Sequence, residues 1–78
     1  MPRYFIDLHD GANFVRDRAG FDLPDLDAAR VQAARIMTRI AQGLAEGPER
    51  QDYVLAVRTE DGVVRLRMRM SLDPDPTV

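Results

Sequence analysis

Three arginines stand at alternate positions in "VVRLRMRM", residues 63–70: Arg65, Arg67 and Arg69. In an extended strand, alternate side chains share a face and lie roughly 7 Å apart. That spacing is comparable with the separation of phosphates along a nucleic-acid strand. A guanidinium also forms two-pronged hydrogen bonds to carboxylates and phosphates. Arg58 in "DYVLAVRT" and Phe5 in "YFIDLH" fall on the same side of a sheet built from these strands. Phe5 would add a flat apolar surface for stacking. Three uses compete for this set. The arginines can form a solvated face, paired with Asp7, Glu60 or neighbouring carboxylates. They can line a self-association surface, their stems buried with Val54, Ala56 and Val63. They can also contact the phosphates of a nucleic acid.

Other candidate chemistry is thinner. Asp7 and His9 are two apart, so one strand projects them from one face, where a carboxylate can orient an imidazole for proton transfer. No nucleophile accompanies them by spacing, and the plainer expectation is an ordinary exposed pair. Ser71 is the chain's one serine and falls at a strand end. Thr38 and Thr59 have no motif around them. Asp22, Asp25 and Asp27 do not have the spacing of an EF-hand loop. The glycines form no phosphate-binding pattern. With no cysteine and one histidine, no thiolate or histidine metal site is expected within one chain. No catalytic residue, metal or cofactor is therefore expected.

The chain that must position these residues has 78 residues, the size of one domain. A domain this small buries only roughly 60% of the surface its unfolded chain exposes. It leaves little room for a cavity that engulfs a substrate. The net charge of -2 weakens long-range attraction to nucleic acid. All 11 basic residues are arginine, as codon bias in a GC-rich genome would give. No stretch approaches the roughly 20 apolar residues of a membrane span, and "MPRYFIDLHD" lacks the layout of a signal peptide. A cytoplasmic location and no membrane partner are the resulting expectations.

The pattern of residues predicts ββαββ. "YFIDLH" alternates, with Tyr4, Ile6 and Leu8 on one face. "DGAN" is a turn cluster in which glycine can take positive φ. "FVRD" reads as a short second strand, and "RAGFDLP" as connecting chain. Asp25 is the N-cap candidate of the long helix that follows, with Asp27 near its positive end. Leu26, Ala29, Ala33, Ile36, Met37, Ile40 and Leu44 form its apolar stripe, and Gly47-Pro48 ends it. "DYVLAVRT" is the third strand, with Tyr53, Leu55 and Val57 on one face. Asp61-Gly62 signals a hairpin through a primed turn. The fourth strand then sends Val64, Leu66, Met68 and Met70 toward the helix, with Met37 as core filling beside them. Residues 1–72 form the domain, and "DPDPTV", 73–78, reads as an acidic disordered tail. The expected fold is α+β: a two-layer sandwich of a four-stranded antiparallel sheet with one helix on one face. The other face of such a sheet can stay open.

The residues "MPRYF", the Asp10-Gly11 turn, Asp17 and Gly20, and the entry "LPDLDAAR" at 23–30 together resemble a known family. It is a DUF6894-type family of small domains of unknown function, common in alphaproteobacteria. The resemblance covers most of the chain. Family members often carry Glu at Gln32 and an acidic pair at Arg18-Ala19, departures that touch the surface. The resemblance implies an α+β domain of bacterial origin and no assigned activity. A looser, topological similarity is to HicB-type antitoxins, which share a short hairpin, a Pro-Asp entry and an Ala-rich helix. Fold likeness of that kind does not carry function.

The expected function is that of a small non-catalytic interaction or regulatory module, possible as a homodimer, acting through the open sheet face. Phe5, Arg58, Arg65, Arg67 and Arg69 are its candidate binding residues. A protein partner or self-association ranks ahead of nucleic acid. The alternative is an antitoxin-like or nucleic-acid-associated regulator using the same arginines.

Overall fold

The computed structural model describes residues 1–11, 13–43 and 51–72. The element order is β1 (Arg3–Asp10), β2 (Asn13–Val15), β3 (Phe21–Asp22), α1 (Leu26–Gly43), β4 (Gln51–Thr59) and β5 (Val64–Leu72). The fold is α+β, with α1 packed on an antiparallel sheet. The sheet runs β2-β1-β4-β5, and β3 pairs β1 on the edge that β2 also uses. Among the described residues the sheet therefore has five strands where the sequence predicts four. The extra one is two residues long, inside "RAGFDLP", too short to show an alternation. β2 is also shorter than expected: Arg16 and Asp17 have left the strand.

One face carries the core. Tyr4 and Ile6 of β1, Tyr53, Leu55 and Val57 of β4, and Ala29, Ala33 and Met37 of α1 are buried together. The three helical residues recur every fourth position, so they form one line along α1. Two of them are alanines, which let the helix backbone come close to the sheet. Leu66, Met68 and Met70 of β5 flank this core, as the alternation predicts. Leu26 and Val64 do not join it: they are 38% and 37% exposed. The start of α1 follows the sequence. Asp25 caps it, its carboxylate accepting the Ala28 N–H at 2.8 Å and its carbonyl accepting the Ala29 N–H. The expected end at Gly47-Pro48, the stripe residue Leu44 and the tail 73–78 lie outside the described residues.

Two local departures matter for the open face. The β4–β5 connection is not a primed two-residue turn. Gly62 N–H bonds the Thr59 carbonyl and Thr59 N–H bonds the Val63 carbonyl, which makes a three-residue loop. Among its residues only Gly62 has positive φ, at 84°, as a loop of this length requires and a primed turn at Asp61 does not allow. The register then slips once. Val57 pairs with Leu66, but Arg58 pairs with Val64, leaving Arg65 as an extra residue. The alternation of 63–70, unbroken in sequence, is broken in space at Arg65. Val64 consequently sits opposite Arg58 and not in line with Leu66.

Candidate functional site

The face away from α1 divides into two parts. On the β1/β4 part, Phe5 lies opposite Arg58 and Asp7 opposite Ala56. Asp7 is buried, at 4% exposure, and Ala56 at 6%. This corrects the expectation of an exposed Asp7/His9 pair. The Arg58 Nε donates to the Asp7 carboxylate at 2.8 Å, and its Nη2 donates to the Asp17 carbonyl at 2.8 Å. The Arg58 guanidinium also lies 4.5 Å from the centre of the Phe5 ring, within range of a cation–π contact. His9 is exposed and stacks on Phe14 instead, with ring centres 4.5 Å apart.

Asp17 completes the cluster. β2 pairs with the far end of β1 and β3 with its near end, so a gap is left between Tyr4 and Leu8. Asp17 fills it. Its carboxylate accepts the Ile6 N–H at 3.1 Å, where a strand carbonyl would stand. Its own N–H donates to Asp7 at 2.9 Å. Its second oxygen accepts the N–H groups of Ala19 and Gly20, folding the loop back on itself. Gly20 has φ of 75°, and a Cβ there would stand 2.8 Å from the Arg3 Cγ and 3.0 Å from the Phe5 ring. Glycine is thus required twice over, for backbone shape and for space. Among the described residues, every buried side-chain polar atom has a partner.

Beside this cluster lies a shallow, open depression of about 510 Å³, lined by Met1, Arg3, Phe5, Asp22, Arg58 and Glu60. Three of its four charged side chains are held in ion pairs. Arg3 binds Asp22 across β1 and β3 at 3.0 Å, which raises the arginine pKa and lowers that of the aspartate. Arg58 is held by Asp7. No three acidic or histidine side chains converge on a metal position among the described residues.

The β5 part differs. Arg65 is tied to the hairpin loop through Asp61, at 3.1 Å. The Asp61 carboxyl is held below its usual range, first by the hydrogen bond from the Thr59 hydroxyl and then by the Val63 N–H. Arg67 and Arg69 stand opposite Ala56 and Val54. Both are exposed, and among the described residues neither has an ion-pair partner. β5 ends the sheet, so its outer edge is covered by no described strand. The five candidate binding residues therefore separate into a pair engaged within the domain, Phe5 and Arg58, a tethered Arg65, and an exposed pair, Arg67 and Arg69. The roles of Asp17 and Gly20 were missed from spacing, although both stand in the motif that carries the family resemblance.

No curated protein and no solved structure matches the chain. Residues 3–71 match the family described as "Domain of unknown function (DUF6894)". That span contains every described strand but the last residue of β5, and the whole of α1. The chain belongs to this family of domains of unknown function.

Proposed function

We propose that the domain is a non-catalytic interaction module that holds an anionic protein partner against the β5 side of its open sheet face. One observation carries this reading. Arg67 and Arg69 are exposed and free of ion pairs among the described residues, whereas Arg58, on the same face, is fully engaged within the domain. Unpaired guanidinium groups are ready to take carboxylates two-pronged.

The alternative, a nucleic-acid-associated or antitoxin-like regulator, uses the same arginines. It is weakened by Phe5. The ring that would stack a base already lies under Arg58 and against Gly20. Self-association through β5 is weakened by charge. An antiparallel pair of β5 strands related by a two-fold axis places Arg67 opposite Arg65, Arg67 or Arg69 of the second copy in its central registers. Like charges directly opposite are destabilising.

The test is fluorescence anisotropy with a labelled acidic peptide and a labelled single-stranded oligonucleotide, at low and moderate salt. The reading expects the peptide to bind, and Arg67→Ala with Arg69→Ala to abolish binding. Tighter oligonucleotide binding that falls steeply with salt would transfer the surface to nucleic acid. No binding of either at tens of micromolar protein would remove the arginine pair from any anion-binding role.

A further inference from the structure

We propose that the partner is bound as an added β-strand along β5, with acidic residues at alternate positions and apolar residues between them. This rests on the reading of Arg67 and Arg69 given above and specifies how the partner lies. Three observations converge on it.

The first is the edge itself. β5 is nine residues long and sits at the end of the sheet. A strand of that length spans roughly 30 Å of backbone. Its outward N–H and C=O groups form a ready ladder for an extended peptide. The second is charge. Side chains of an added strand that face the same way as Arg67 and Arg69 would stand beside these two guanidiniums, so carboxylates belong there. The third is a groove on the opposite, helix-facing side. Leu26, Asp27 and Arg30 of α1 and Leu66 of β5 line an open groove of about 270 Å³. No residue of β4 lines it, which places it at the outer margin of the sheet. Asp27 and Arg30 neutralise each other at 3.1 Å, leaving the two leucines to set its character. Leu26 was expected in the core, and its 38% exposure follows from standing at this margin.

An added strand alternates its side chains between these two environments. Every second residue meets arginine; the ones between meet the leucine groove. The surface thus selects for a pattern, not merely for negative charge. The same arginines that set like charge against like in a second copy of β5 would attract such a segment, so one device serves both exclusion and selection.

The test compares two peptides of identical composition. One alternates Glu with Val or Leu; the other carries its glutamates in one block. Binding is read by anisotropy, and amide hydrogen exchange is read along β5. The alternating peptide should bind at least about tenfold more tightly, a difference of about 1.4 kcal/mol, and should slow exchange of β5 amides that are otherwise fast. Leu26→Glu should weaken the alternating peptide and leave the block peptide unchanged, with far-UV circular dichroism confirming the fold. Equal binding of both peptides without β5 protection would overturn strand addition and leave the anionic-partner reading standing. Failure of both peptides would overturn the two together. Slow β5 exchange without peptide, in a protein that sediments as a dimer, would show the edge filled by a second copy and overturn the proposal.

Discussion

Arg58 and Arg67 are the same residue type on the same side of one sheet, one strand apart, yet they live in opposite circumstances. Arg58 has an 11% exposed side chain, a buried carboxylate, a carbonyl and an aromatic ring around it. Arg67 has solvent. The difference does not come from their own strands. It comes from their neighbours: β1 supplies Asp7 and Phe5 to Arg58, and the loop between β2 and β3 folds Asp17 across β1 and adds a carbonyl. That loop reaches the β1/β4 half of the face and leaves β5 bare. An arginine on a sheet is therefore structural or available according to what the adjoining strand and loop supply, and one face can hold both kinds.

The comparison is most sharply broken at Asp7. Replacing it by Ala leaves Arg58 buried without its counter-charge and the Asp17 N–H without an acceptor. Breaking such a pair costs about 3–5 kcal/mol, comparable with the whole stability of a domain this size, about 5 kcal/mol at the low end of the usual range. Urea denaturation should show a protein largely unfolded or close to it. Replacing Asp7 and Arg58 together by Leu and Met should cost much less than Asp7→Ala, and equal costs would mean that the pairing itself is not what the site depends on. Gly20→Ala comes next. The clash with Arg3 and Phe5 adds to a left-handed backbone penalty of about 1–2 kcal/mol, measurable as a lower urea midpoint with unchanged slope. Asp25→Ala, which touches neither half of the face, should cost about 1 kcal/mol through the lost cap. Arg67→Ala and Arg69→Ala should each move stability by less than about 0.5 kcal/mol. A loss resembling that of Asp7→Ala would place them in the structural class and end the distinction.

Acid should separate the ion-paired positions from the exposed arginines as well. Asp22 and Asp61 are both lowered in the folded state, chiefly by the hydrogen bonds from Arg3 and from the Thr59 hydroxyl. A depressed carboxyl contributes stability that is complete above its unfolded pKa, about 3.9, and is lost as pH falls through its folded value. Both groups are solvent-exposed, so the effect is small and local. Amide exchange at Gly62 and Val63 should quicken relative to the core only below about pH 4. Quickening at neutral pH would show that the Asp61 carboxylate does not hold the loop.

Much of the scaffold was legible because it depends on neighbours in sequence. Asp25 caps from three residues away, and Ala29, Ala33 and Met37 mark their stripe by spacing alone. The alternations of Tyr4/Ile6/Leu8 and Tyr53/Leu55/Val57 gave the inner face directly. The candidate site was legible only as a set of residue types. Asp17 acts on Ile6 and Asp7 across ten or eleven residues of chain, and no periodicity marks such a contact. The slip at Arg65 depends on the length of the loop at Gly62, and the Asp-Gly pair suits more than one loop length. Val64 was misplaced for that reason, and β3 was missed because two residues make no pattern.

The carboxylate that closes the gap in β1 also bears on how many molecules could ever join. On that side the sheet ends in strands of three and two residues with Asp17 between them, poor templates for further pairing. Strand addition to this sheet can then start at β5 but not at the opposite edge. With one usable edge, copies of this domain lack the second, complementary edge that open head-to-tail stacking into a fibre requires.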